Sequence, residues 1–290
     1  MSRNNPRPEW LTVRLLPETA APRVLACLRG LGLGTVCASA QCPNRAECHN
    51  AGRATFLLMG PNCSRHCRYC AVKHAAPAPL DPTEPERVAE AAARLGVRHV
   101  VMTSVTRDDL PDGGAAHFAR AVACVRRRCP GATVEILVPD FGGVEAAWET
   151  SAACAPEVYN HNLETVERLF PAVRQGADFR RSLRQLAFVK ERHPGLTTKS
   201  GLMVGLGEGL GEVLAAGREL RAAGVDVVTV GQYLAPDKDK NCPVARYVPP
   251  EEFARLREGL LAMGFAAVAA APLVRSSYQA AETFAACGGR

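Results

Sequence analysis

No run of the chain approaches the ~18 uninterrupted apolar residues that a membrane span requires. The opening stretch, MSRNNPRPEWL, has neither the apolar core of a secretory signal nor the long Arg/Ser-rich amphipathic run of an organellar transit peptide. These absences give the expectation of a cytoplasmic, bacterial protein with no membrane partner. Aromatic residues are scarce, at 6%, and are not interleaved with basic ones, which argues against a nucleic-acid stacking surface. Charge is not concentrated either. The net +6 is spread out, and its densest run, Arg126 to Arg128, reads as a solvated helix face. An acidic partner protein remains compatible with that mild excess. Charged residues amount to 22%, an ordinary share for a folded domain, so global disorder is excluded. With 47% hydrophobic residues in 290, the chain can bury a large core, as one large domain or two ordinary ones.

Cysteine is what the chain has in quantity, twelve in all. Six of them lie between Cys37 and Cys70, in two triplets of different spacing. Cys37, Cys42 and Cys48 read C-x4-C-x5-C, and Cys63, Cys67 and Cys70 read C-x3-C-x2-C. Cytosolic thiols stay reduced, so clustered cysteines there point to metal binding or chemistry, not disulfides. A structural zinc site closes with four N/S ligands, usually from paired C-x2-C knuckles. Cys67 and Cys70 form one knuckle, with His66 or His49 available as a further ligand, but no second knuckle exists. Iron–sulfur clusters are held by thiolates closely spaced along a loop. Three thiolates leave one iron of a [4Fe–4S] cube without protein sulfur, free to chelate a substrate or cofactor. The cysteines at 27, 124, 129, 154, 242 and 287 are scattered and read as small buried hydrophobes. His49, His66, His161 and His193 read as local hydrogen-bonding residues.

Beyond the cysteines, apolar runs alternate with helical patterns. Strands are expected at Ala54 to Gly60, from Val97, at Ala132 to Asp140, Pro156 to Asn162, Thr197 to Gly205, Val225 to Tyr233 and Phe265 to Leu273. Helices are expected at Glu84 to Gly96, with Thr83 as N-cap and Gly96 as stop, and at Ala115 to Arg128. Further helices follow at Gly143 to Ala153, Phe179 to Arg192, Leu210 to Ala223 and from Pro250. This alternation implies βαβ units and a parallel sheet of six or seven units. An incomplete (β/α)6-type TIM barrel and an open doubly wound sheet both fit the periodicity. Either places ligands at the carboxyl ends of the strands, where Cys63 begins.

Cys63-Cys67-Tyr69-Cys70, C-x3-C-x-aromatic-C, resembles the signature of the radical S-adenosylmethionine superfamily. The C-x4-C-x5-C triplet upstream of it resembles the lipoyl synthase family. So do Arg7 to Leu15, Val101 to Ala119, Val158 to Leu169, Lys199 to Glu208, Gln232 to Pro236 and Pro272 to Tyr278, in the same order. The likeness spans roughly residues 7 to 280. Two departures stand out: Ala38-Ser39-Ala40-Gln41 where that family commonly carries acidic residues and an arginine, and Asn241-Cys242 where it has histidine and an apolar residue.

The resemblance implies an α/β chain with an incomplete (β/α)6-type TIM barrel at 54–273. A 1–53 extension would carry the auxiliary-cluster cysteines, and a 274–290 tail the Arg-Ser-Ser-Tyr motif. It implies S-adenosylmethionine and two [4Fe–4S] clusters as cofactors. Cys63, Cys67 and Cys70 would hold the radical-generating cluster, and Cys37, Cys42 and Cys48 a sacrificial auxiliary cluster whose fourth ligand is a serine. That ligand is placed on Ser277, with adjacent Ser276 the alternative. The implied reaction inserts sulfur at C6 and C8 of an octanoyl chain on a carrier-domain lysine. Implied partners are octanoylated lipoyl carrier domains (2-oxoacid dehydrogenase E2 subunits or glycine cleavage H protein), a flavodoxin or ferredoxin electron donor, and an iron–sulfur carrier. Asn162, Glu164, Lys199, Gly205 and Gly207 are candidate S-adenosylmethionine contacts. Asn160 and the Asp112 to Gly114 turn are weaker ones, helix capping accounting equally for Asn162. A biotin-synthase-type enzyme and an electron-transfer iron–sulfur protein are the competing classes. The upstream triplet and terminal RSSY disfavour the first, and the barrel the second.

Overall fold

The computed structural model describes residues 7–12 and 20–288. The 13–15 part of the family-like stretch Arg7 to Leu15 therefore lies outside the described residues. Along the chain run α1 (Ala21–Gly30), β1 (Gly34–Thr35), α2 (Val36–Ser39), α3 (Arg45–Asn50), β2 (Thr55–Leu58), β3 (Asn62–Cys63) and β4 (Lys73–His74). There follow α4 (Glu84–Leu95), β5 (His99–Ser104), α5 (Ala115–Arg128), β6 (Thr133–Leu137), α6 (Glu145–Ala153), β7 (Val158–Asn160), α7 (Phe170–Val173), α8 (Phe179–Arg192) and β8 (Thr197–Val204). The chain ends with α9 (Leu210–Ala222), β9 (Val227–Gln232), α10 (Pro250–Ala262), β10 (Ala267–Ala270) and α11 (Ala280–Ala286).

The main sheet has the order β1-β2-β5-β6-β7-β8-β9-β10, and every pair from β2 onward is parallel. Strand order never reverses, so the sheet has no topological switch point and is not doubly wound. Six successive βα crossovers and a seventh strand make the incomplete (β/α)6-type barrel. It does not close: β1, antiparallel to β2, and β10 are its edges. Helix α11 touches both β10 and β5, with His99 and Phe284 stacked 5.8 Å apart.

The strands are near-continuous apolar runs because helices and barrel interior bury both faces. All residues of β2, β7 and β9 are buried. The core is shared between clusters around Phe56, Met102, Phe118 and Trp148 and around Leu186, Val228, Phe253 and Leu260. Helix ends follow local chemistry. Gly96 closes α4 at φ +67°, and Asp178 accepts the Arg181 amide at 2.6 Å at the start of α8. Thr83 holds the N-cap position of α4, but its hydroxyl donates to Asp81 instead of capping. The expected strand at Ala54 to Gly60 stops at Leu58, where Met59 and Gly60 turn left-handed (φ +65° and +83°). Left-handed Gly142 and Gly143 likewise delay α6 to Glu145.

Candidate active site

The loop after β2 carries Cys63, Cys67 and Cys70 to the carboxyl end of the barrel, and neighbouring strand-end loops hold it there. Ser64 donates its amide to Thr106, and Arg68 to Val173. Asn241 donates from its side chain to the carbonyls of Arg68 (3.1 Å) and Cys70 (3.0 Å). The departure at 241 thus has a role of its own. Arg65, inside the triplet, chelates Asp108 through two 2.7 Å bonds and reaches buried Asp140 at 2.8 Å. The Thr106 amide points at Cys63 Sγ (3.3 Å) and the Val72 amide at Cys70 Sγ (3.4 Å).

These three thiols line a cavity of about 480 Å³, together with Tyr69, Asn162, Glu164 and Arg174. Leu57, Leu137, Val138 and Met203 give it apolar wall. Asn162 lies just past β7; it donates to Glu164 at 3.1 Å, and its own carbonyl accepts from Arg174 at 2.5 Å. No helix starts at Asn162, so capping is not its role. Burial raises the Glu164 carboxyl, and Arg174 only partly offsets this. Burial also pushes up the Cys67 and Cys70 thiols, Cys70 to about 12, and neighbouring thiols add to the rise.

Lys199, Gly205 and Gly207 do not line this cavity. Lys199 is buried inside the barrel on Glu135 (2.9 and 3.1 Å), which also receives Asn160 at 3.0 Å. A buried lysine finds its lowest-energy place on the buried carboxylate. The Gly205–Gly207 turn is wrapped by Glu208, whose carboxylate accepts the Gly205 and Leu206 amides. A Cβ on Gly205, at φ +103°, would overlap the Gln232 side chain. The Asp112–Gly114 turn caps α5, Asp112 accepting from the Gly114 and Ala116 amides, both at 2.9 Å.

A second cavity, about 340 Å³, is lined by Cys37, Cys42, Cys48, Arg275, Ser277 and Tyr278. Thr35 caps α2, and α3 brings Cys48 into place. The C-terminal tail crosses from the far edge of the sheet. Asn44 donates to the Leu273 carbonyl (2.7 Å), Tyr278 to Glu47 (2.8 Å), and Arg53 pairs with Glu282 (2.7 Å). The two adjacent serines part company here. Ser277 lines both cavities; Ser276 lines only the larger one, where it sits between Asn160 and Asn162. Burial raises Cys48 to about 12, with Cys37 and Cys42 adding to it, and raises Cys42 as well. Cys37, Cys42, Arg275 and Ser277 line both cavities, so the two triplets flank one connected space.

The donor chemistry fits iron–sulfur clusters. Each triplet is a set of soft donors, partly desolvated and mutually repelling as thiolates, a cost that a cationic iron group offsets. Among the described residues, no three His, Cys, Asp or Glu side chains converge as ligands of a single ion do. A cube spreads its ligands over separate irons. The sequence reading gave no site role to Arg174, Arg275, Arg65 or Asn241. Arg65, inside the triplet, and Arg275, beside Ser276 and Ser277, carried a signal by position, and Asn241 one as a departure from the family pattern; Arg174 carried none.

Known proteins resemble this arrangement. The family model for the Radical SAM superfamily matches residues 57–220. The chain is 52% identical to the lipoyl synthase of Methylococcus capsulatus over 283 residues, 97% of this chain and 88% of that one. It is 54% identical to the lipoyl synthase of Caldanaerobacter subterraneus over 274 residues, 94% and 95% of the two chains. In fold it is similar to the crystal structure of a maturase of the [FeFe]-hydrogenase, with TM-score 0.56, 14% identity, and 86% and 62% of the chains covered. It is also similar to that of methylornithine synthase, with TM-score 0.54, 15% identity, and 83% and 77% covered.

Proposed function

The chain belongs to the lipoyl synthase family of the radical S-adenosylmethionine superfamily, and on that premise we propose which of its residues carry the family's chemistry. Its activity is sulfur insertion at C6 and C8 of an octanoyl chain held on a carrier-domain lysine, with two [4Fe–4S] clusters and S-adenosylmethionine as cofactors. When bound, these groups supply a 5′-deoxyadenosyl radical able to take hydrogen from an unactivated C–H bond, and the sulfur that replaces it.

Cys63, Cys67 and Cys70 hold the radical-generating cluster. The Thr106 and Val72 amides that point at two of these sulfurs stabilise thiolate charge and so tune the site's reduction potential. Asn162 and Glu164 offer an amide and a carboxylate to the ribose hydroxyls, and Arg174 puts a fixed positive charge on the same wall. Leu57, Leu137, Val138 and Met203 receive the alkyl chain and exclude water. Lys199 acts at one remove, neutralising Glu135, and Gly205 leaves room for Gln232, which lines the cavity. Gly207, left-handed at φ +113°, serves the same turn.

Cys37, Cys42, Cys48 and Ser277 hold the auxiliary cluster. A serine oxygen would be a harder, weaker iron ligand than a thiolate, and Ser277 would make the iron it holds the most easily released. The observation that carries the reading is the shared lining: Cys37, Cys42 and Ser277 border the space onto which Cys63, Cys67 and Cys70 open. The division into a 1–53 extension, a 54–273 barrel and a 274–290 tail follows this assignment. E2 subunits or H protein as carriers, a flavodoxin or ferredoxin as electron donor, an iron–sulfur carrier, and a cytoplasmic location complete the proposal. No helix among the described residues is long and apolar enough to cross a membrane.

Iron counting tests the assignment. Anaerobically reconstituted chain is expected to hold about eight irons, and chain with Cys37, Cys42 and Cys48 changed to alanine about four, still cleaving S-adenosylmethionine. About four irons in the unaltered chain would sink the two-cluster assignment.

A further inference from the structure

We propose that Ser276 is a positioning residue, which holds neighbouring Ser277 at the auxiliary cysteines by fastening the C-terminal tail to two asparagines of the barrel. The proposal rests on Ser277 being the oxygen ligand of the auxiliary cluster. Between β10, ending at Ala270, and α11, starting at Ala280, the tail has no helix or strand; its backbone is tied to β9 only as far as Pro272, whose carbonyl accepts the Gln232 amide at 3.1 Å, so beyond that point side-chain anchors must help to fix its path. Ser276 donates to Asn162 Oδ1 at 2.9 Å and accepts from Asn160 Nδ2 at 2.8 Å, using its hydroxyl in both directions.

Both asparagines are themselves held. Asn160, fully buried at the end of β7, donates also to Glu135, whose charge Lys199 balances. Asn162 reaches on to Glu164 in the cavity wall. The anchor therefore runs from a buried ion pair in the barrel core through Asn160 to Ser276, and ends one residue from Ser277. Of the other fastenings of the tail, Asn44 to Leu273 and Tyr278 to Glu47 lie on the auxiliary-cysteine side, and the Gln232 amide holds the Pro272 carbonyl on the barrel side, four residues before Ser276. Ser276 alone of the two serines joins that segment to the strands that carry the S-adenosylmethionine wall. A weak oxygen ligand on an irregular segment stays bound only if the segment is already ordered.

The test follows anaerobic iron release to a chelator from the two-cluster chain, in the absence of reductant and carrier. Ser276→Ala removes two hydrogen bonds and is expected to speed release of auxiliary-cluster iron about tenfold. S-adenosylmethionine cleavage, which Ser276 touches only through Asn162, falls less than auxiliary-iron release rises in that variant, and Ser276→Thr, which keeps a hydroxyl, restores release to within about threefold of the unaltered chain. Ser277→Ala speeds the same phase. Unchanged release in Ser276→Ala beside accelerated release in Ser277→Ala overturns the proposal and leaves the ligand assignment standing. Unchanged release and an unchanged auxiliary-cluster spectrum in Ser277→Ala overturn the assignment itself. Loss of S-adenosylmethionine cleavage together with iron in Ser276→Ala, unrescued by threonine, shows a general fold defect and also overturns the proposal.

Discussion

Replacing Arg65 with methionine keeps the length of a side chain that is 8% exposed and deletes its charge. Three charge-assisted hydrogen bonds go: two to Asp108 at 2.7 Å and one to Asp140 at 2.8 Å. Breaking a buried ion pair from one side costs about 3–5 kcal/mol when the partner is left alone. Here two features lower that figure. Asp140 keeps Arg181, at 2.7 Å, and Asp108, 41% exposed, regains water. The expected loss is therefore about 2–3 kcal/mol. Burial alone would raise the Asp140 carboxyl, but Arg65 more than overrides it and holds the group well below the usual carboxylate range. In a chain of this size each kcal/mol moves the melting temperature by about 2 °C, so anaerobic calorimetry is expected to read a fall of about 4–6 °C. Because Arg65 sits between Cys63 and Cys67, 5′-deoxyadenosine formation falls as well. Lysine, which cannot make the paired bonds to Asp108, recovers only part of either loss. A melting temperature within 1 °C and an unchanged deoxyadenosine yield would refute the reasoning.

Other perturbations reach the tail, the barrel interior and the sulfur site. Gly231→Ala would drive a Cβ into the Val274 carbonyl, which is backbone and cannot step aside; the tail lifts from β9, and limited proteolysis near residue 274 accelerates. A cut no faster than in the unaltered chain would contradict that contact. His161 is fully buried, and burial lowers its imidazole to about 3, Arg174 adding to the drop. Its folded value lies below its unfolded value of ~6.5, so the unfolded chain binds the extra proton and stability falls as pH drops below ~6.5. Urea unfolding at pH 5.5 is expected to show about 1.4 kcal/mol less stability from this group than at pH 7.5, and His161→Gln removes that increment. Equal pH dependence in both chains would show that His161 is not the source. Ser277→Ala is expected to impair sulfur insertion more than S-adenosylmethionine cleavage; equal loss of both, read by chromatography of deoxyadenosine and mass spectrometry of peptide, would contradict separate roles.

The barrel was legible because parallel strands buried on both faces leave continuous apolar runs, and α5 and α8 fall on their expected residues. Strand ends were less so. Leu58, Leu137 and Ala270 end strands where left-handed turns or a proline two residues on stop the ladder, and composition alone blurs such limits. Periodicity could not choose between a curled and a doubly wound sheet, since strand order is a long-range property. The cysteines stood out by spacing. Lys199 was a pocket candidate through the resemblance alone; its partner Glu135 is 64 residues away and invisible in any local window. Arg174 was missed, being an ordinary arginine after a four-residue helix. Ser276 and Ser277, identical in sequence terms, separate only once the tail is seen crossing the barrel mouth.

The most direct test of the account is a single-turnover reaction with chain whose clusters carry heavy-isotope sulfide. It would be given S-adenosylmethionine, a strong reductant and an octanoyl-lysyl peptide, with the peptide read by mass spectrometry. The account predicts heavy sulfur in the peptide at C6 and C8, iron loss confined to the Cys37/Cys42/Cys48 site, and deoxyadenosine in step with sulfur inserted. Abundant deoxyadenosine with no sulfur in the peptide, or sulfur without the heavy label, would contradict it.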